Sequence, residues 1–97
     1  MRVIAKRPLK EFGAHHADAL QPLLAWHQVA RRSNWRGPED VKAAYRSASF
    51  LKDNRVCFDI GGNKYRLIVR MNYAVGIAYI RWIGTHSDYD KIDANKA

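Results

Sequence analysis

The sequence predicts an α+β fold: an N-terminal strand and two to three helices packed on one face of a mainly antiparallel C-terminal sheet. Two observations lead there. From Arg55 to Ile83, apolar and polar residues alternate in three consecutive runs separated by glycine-bearing turns, the period of half-buried strands. Before them, apolar residues recur at helical spacing, with prolines and acidic residues where helices begin. Helices followed by a block of strands pack as a layer covering one side of an antiparallel sheet.

Taken in order, Arg2 to Ala5 is short and β-leaning, a first strand at an edge or inserted into the sheet. Pro8 opens a short helix, because a first turn does not need the N–H that proline lacks. Leu9 and Phe12 give it an apolar side, and Gly13 ends or weakens it. Asp18 is the expected N-cap of the longest helix, with Gln21 completing a capping box and Pro22 near the first turn. Ala19, Leu20, Leu23, Trp26, His27 and Ala30 form its inward stripe. Arg31 and Arg32 suit its C-terminal end, where the helix dipole favours cations. Gly37-Pro38-Glu39-Asp40 starts another helix, expected over Pro38 to Arg46, that buries Val41, Ala44 and Tyr45. Ser47 to Asn54 reads as a connection in which Phe50 and Leu51 pack down and Lys52, Asp53 and Asn54 turn.

Val56, Phe58 and Ile60 alternate along the strand Arg55 to Ile60. Gly61, Gly62 and Asn63 tolerate the positive φ of a tight hairpin. The next strand, Lys64 to Tyr73, puts Tyr65, Leu67, Val69 and Met71 on one side; Lys64, Arg66, Arg70 and Ile68 take the other. A second turn falls between Asn72 and Gly76. Along Ile77 to Ile83, Ala78, Ile80 and Trp82 share a face opposite Tyr79 and Arg81. The expected helix-covered face is therefore Phe58, Leu67, Val69, Ile80 and Trp82, and the opposite face is open and cationic.

Ninety-seven residues suggest one domain over residues 1–97, and 47% hydrophobic residues suffice for a modest core. Lys+Arg number 17 against Asp+Glu 9, a net charge of +8 that favours an acidic partner. The single cysteine, Cys57, excludes an intrachain disulfide, argues against a cysteine-rich zinc site and reads as a small packing residue. His15, His16 and His27 fit no zinc spacing and read as surface or packing histidines. The N-terminal MRVIAKRPLK lacks a signal peptide's apolar core, and no apolar run spans a bilayer. A cytoplasmic protein with no membrane partner is expected.

On the cationic face, Lys64, Arg66, Arg70 and Arg81 could converge from neighbouring strands, and Asp59 is the one acid on those strands. Arginine forks bind phosphate oxygens bidentately and stabilise the charge that develops during phosphodiester cleavage. His86 and Tyr89 lie three residues apart and share a side if Ser87 to Ile92 is a helical turn, capped by Thr85 or Ser87. Histidine suits acid–base work near neutral pH, and tyrosine can stack on a base or donate a proton. The plain alternative is a solvated cationic face, a Tyr89 that anchors the terminus and a His86 bonded to backbone. No Gly-rich loop precedes a helix and no carboxylate cluster suits magnesium. No metal or cofactor is expected, and any phosphodiester cleavage would use the ribose 2′-OH, making RNA the substrate.

The segments VCFDIGGNKYRLIV and YIRWIGTHSDYDKI resemble the HigB toxins of bacterial type II toxin–antitoxin systems, in the RelE/ParE-like superfamily. Three pieces carry the resemblance: the Gly61-Gly62-Asn63 hairpin with Arg66, the Tyr79-Ile80-Arg81 strand, and the Thr85-His86-x-x-Tyr89-Asp90 tail. It implies a RelE-like toxin fold and an mRNA endoribonuclease, or mRNA interferase, that inhibits translation by cutting messages in the ribosomal A site. It also implies neutralisation by a HigA-type antitoxin with a helix-turn-helix domain. Position by position, the resemblance implies that Arg66, Arg81, His86 and Tyr89 are catalytic. Arg66 and Arg81 would hold the scissile phosphate, and His86 or Tyr89 would transfer protons. Lys64, Arg70 and Lys91 would bind RNA. Two other readings stand beside it: a ParE-like toxin that inhibits gyrase and cleaves no RNA, and a plain basic RNA-binding domain.

Overall fold

A computed structural model describes the chain from Met1 to Ala97. Strand β1 (Arg2–Ile4) leads into helices α1 (Arg7–His15), α2 (Ala17–Arg32) and α3 (Pro38–Ala44). Strands β2 (Ser49–Phe50), β3 (Arg55–Ile60), β4 (Tyr65–Asn72) and β5 (Ile77–Thr85) follow, then helix α4 (His86–Tyr89) and a 3-10 turn at Ala94–Lys96. The sheet runs β1-β5-β4-β3-β2, with β1 parallel to β5 and every other pair antiparallel. This is the predicted α+β, RelE-like arrangement, with β1 at an edge.

The β3–β4 hairpin turns through Gly61 and Gly62, whose φ values of +62° and +70° disfavour side chains. That turn sets the pairing Ile60 to Tyr65 and Asp59 to Arg66. On the inner face Val56, Phe58, Leu67, Val69, Met71, Ala78 and Ile80 pack against Leu9, Ala19, Leu23, Trp26 and Val41 from the helices. Phe58 is wholly buried, with ring centroids 5.3 Å from Trp26, 6.3 Å from Trp35 and 5.2 Å from Tyr45. Burying each such side chain contributes roughly 1.5–3 kcal/mol, which pins the sheet's inner face to the helices.

The structure departs from the sequence reading at several points, each with a local cause. Val69 faces Ile80 but Ile68 faces Trp82, so Arg81 is an extra residue without a partner on β4. This β-bulge turns Trp82 out of the core and onto the outer face with Arg66, while Ile83 packs inward opposite Leu67. Lys64 belongs to the turn rather than the strand, so strand alternation does not govern it; its Nζ pairs with Asp18 at 3.0 Å, on the helical side. Asp18 is not an N-cap. The cap position is His16, and the Asp18 carboxylate instead accepts from Lys64 and from the Tyr65 hydroxyl. Pro22 lies inside α2.

Helix α1 continues through Gly13, which packs against Leu20. Helix α3 stops at Ala44, which is exposed. The expected connection holds the short strand β2, and its Phe50 is 41% exposed rather than packed down. Nor is the outer face fully open. The C-terminal segment folds back on it: Arg55 Nε donates to Ala97 O at 2.7 Å, and the Lys52 N–H donates to Asn95 Oδ1 at 2.9 Å. Cys57 and Ile68 on that face are buried.

Candidate active site

Arg66 is the hub of the outer face. It projects from β4, is only 8% exposed, and has all its N–H groups engaged. Nε lies 3.2 Å from Asp59 Oδ1, directly across the hairpin. Nη1 donates to the carbonyls of Asn63 at 3.3 Å and Tyr65 at 3.2 Å. Nη2 donates to Asn63 Oδ1 at 2.7 Å and to His86 Nδ1 at 2.9 Å. The guanidinium carbon also sits 5.8 Å from the Tyr89 ring centroid, within cation–π range. A planar fork can satisfy partners in so many directions; an ammonium cannot.

His86 and Tyr89 reach this hub because β5 passes straight into α4. Thr85 caps that turn, accepting the Asp88 N–H at 3.1 Å on its Oγ1. The His86 N–H bonds the Lys64 carbonyl at 2.9 Å, tying the helix to the hairpin. Arginine can only donate, so the bond to Nδ1 assigns His86 the tautomer with hydrogen on Nε2. Nε2 points toward Asp90 Oδ2, 3.8 Å away. The Tyr89 ring packs 6.1 Å from Trp82. Burial pushes its phenol up to about 12, the neighbouring Cys57 adds to the rise, and Arg66 works against it. Tyr89 therefore holds its proton at neutral pH.

Gly84 makes the arrangement possible. A Cβ there would lie 2.3 Å from the Trp82 ring, which drapes over the glycine beside Arg66.

Of the residues named from sequence, the structure gathers Arg66, His86 and Tyr89 into one cluster. Arg81 and Arg70 lie further along the same face, exposed, and line a separate recess of about 480 Å³. Lys91 is exposed just beyond α4, and Lys64 is turned away to Asp18. Nothing in the sequence marks Asn63 or Trp82 as a partner of the site, whereas Asp90 belongs to the tail motif. The Asp59 contact is not legible either: a turn of Gly61-Gly62-Asn63 alone would set Asp59 opposite Tyr65, and it is the inclusion of Lys64 in the turn that brings Asp59 opposite Arg66. Elsewhere His16 stacks on Phe12 at 4.1 Å and His15 is exposed. No three His, Cys, Asp or Glu side chains gather into a metal-holding group. No helix is long and apolar enough to cross a membrane.

Comparison with known proteins bears on this cluster. The family model described as HigB toxin, RelE-like toxic component of a toxin–antitoxin system, matches residues 19–92, a span holding every residue of the cluster. A protein named mRNA interferase HigB from Escherichia coli O6:H1 is 24% identical over 94 residues, covering 95% of this chain and 91% of that protein. The mRNA interferase toxin HigB of Escherichia coli K12 is 27% identical over 92 residues, 93% of this chain and 88% of that protein. The mRNA interferase HigB of Shigella flexneri matches to the same extent, 27% over 92 residues.

Proposed function

Since the chain belongs to the HigB toxin family of RelE-like toxic components of toxin–antitoxin systems, we propose that it is a cytoplasmic mRNA interferase: an endoribonuclease that cuts messages in the ribosomal A site. A HigA-type helix-turn-helix antitoxin neutralises it. The observation that carries the reading is the convergence of a buried guanidinium, an imidazole and a proton-holding phenol on one face.

In this mechanism the scissile phosphate approaches Arg66 and competes for the Nη2 hydrogen now given to His86. A phosphate oxygen carries negative charge and fits the guanidinium fork, which the neutral imidazole nitrogen does not, so the exchange is favourable. It leaves His86 Nδ1 free to take the proton of the ribose 2′-OH. The 2′-oxygen then attacks phosphorus, the P–O5′ bond breaks, and Tyr89 gives its proton to the departing 5′-oxygen. Products are a 2′,3′-cyclic phosphate and a 5′-hydroxyl; solvent returns a proton to Tyr89 and removes one from His86. No metal is needed, because the substrate carries its own nucleophile. Arg81, which lies apart from this cluster, joins Arg70 and Lys91 in holding the flanking RNA rather than the scissile phosphate. Lys64 reaches RNA only by leaving Asp18.

Primer extension on ribosome-bound message tests this. His86→Ala and Tyr89→Phe should each slow cutting by about 10²- to 10⁴-fold, the usual cost of losing a proton-transfer group. Full cutting by an Arg66→Ala, His86→Ala double variant would remove the site. Intact message together with blocked DNA supercoiling would point instead to a gyrase-directed toxin.

A further inference from the structure

Beyond the cluster, the outer face has a second built feature that uses none of its catalytic groups. Asn54, Arg70, Met71, Asn72, Tyr79 and Arg81 line the 480 Å³ recess. Arg70 and Tyr79 face each other directly across β4 and β5, and the bulge brings Arg81 to the same rim. The contrast with Arg66 is sharp. Arg66 has every donor engaged, whereas Arg70 and Arg81 form no ion pair and both are exposed. No carboxylate lines the recess to neutralise them. Tyr79, 38% exposed, is one of the few large apolar side chains left in water.

Two free guanidiniums around an uncovered aromatic ring, with carboxamides alongside, is the chemistry of a single-stranded nucleotide. We propose that this recess is a nucleotide subsite of the RNA-cutting surface. A base flanking the scissile bond stacks on Tyr79, its phosphate lies between Arg70 and Arg81, and the Asn54 and Asn72 amides read the base edge. Arg70 stands four positions from Arg66, about 13 Å along β4 at strand rise. The flanking nucleotide is thus held apart from the one being cut. The base preference at cut sites comes from here, while the chemistry stays with His86 and Tyr89. This inference rests on the RNA-cleaving function proposed above.

The test measures cleavage of ribosome-bound message by Tyr79→Ala, Tyr79→Phe and an Asn54→Ala, Asn72→Ala double variant. Losing one stacked base should raise KM roughly tenfold or more in Tyr79→Ala. Its kcat should be held, and Tyr79→Phe, which keeps the ring, should track wild type. The double asparagine variant should keep cutting but lose its base preference at cut sites. Thermal melting checks that each variant is folded. Unchanged KM and unchanged cut sites in folded Tyr79→Ala would overturn the subsite while leaving the nuclease standing. Should wild type itself leave message intact, the nuclease reading fails first and takes the subsite with it.

Discussion

Arg66→Lys isolates what the fork does from what the charge does. Lysine keeps the positive charge but offers three donors from one point instead of five in a plane. Its ammonium can stay with Asp59, now 3.2 Å from Arg66 Nε, but cannot also reach Asn63 Oδ1 and His86 Nδ1. Two or three bonds to a charged donor are lost, each contributing roughly 1.5–3 kcal/mol, and the lysine's own re-pairing recovers part of that. The net loss comes to about 2–3 kcal/mol. For a domain of this size, at roughly 4–8 °C per kcal/mol, Tm should fall by about 10–20 °C. Released from Nη2, the imidazole is free to rotate, and misalignment of that order costs about 10²-fold in rate. Urea unfolding and primer extension on ribosome-bound message read the two effects separately. Because Arg66→Lys and His86→Ala delete the same 2.9 Å bond, their stability losses should not add in the double variant. Wild-type melting and wild-type cutting by Arg66→Lys would refute the reasoning, reducing Arg66 to a point charge.

Three further outcomes follow from the same geometry. Phe58→Ala should cost about 3–5 kcal/mol by urea unfolding, since the ring is wholly buried among Trp26, Trp35 and Tyr45; a loss near zero would mean the core is packed otherwise. Tyr89 is raised on folding to about 12, so its contribution to stability is fully present below the ordinary tyrosine range and disappears as pH climbs through about 12. Tyr89→Phe should therefore flatten the alkaline limb of stability against pH, and an unchanged limb would contradict the burial of the phenol. Gly84→Ala places a methyl 2.3 Å from the Trp82 ring; it should destabilise by about 1–3 kcal/mol and shift Trp fluorescence, and a silent substitution would show that Trp82 does not lie over the strand.

Most of the fold could be read from residue order because the main strands alternate cleanly. Val56, Phe58 and Ile60, then Tyr65, Leu67, Val69 and Met71, all point as their spacing requires. Alternation says nothing about an inserted residue, however. The bulge at Arg81 is therefore what moved Trp82 from the expected core to the outer face. Strand β2 has only two residues, too few to show a period, and its neighbour strand alone defines it. Asp18 has the side chain of a cap, but a lysine and a tyrosine brought from 46 and 47 residues away claim its carboxylate. Within the site, Arg66, His86 and Tyr89 were visible as residue types suited to the chemistry. The Asn63 side chain was not, because a turn asparagine is explained by its backbone before any role for its amide comes into view.

The extra residue in β5 has a consequence for anyone altering this strand. Ahead of Arg81 the even positions, Ala78 and Ile80, point to the interior; behind it the odd positions, Ile83 and Thr85, do so opposite Leu67 and Tyr65. Surface redesign must switch parity there. Deleting Arg81 alone would restore one uninterrupted phase, and either Trp82 or the whole run ahead of it would have to change sides.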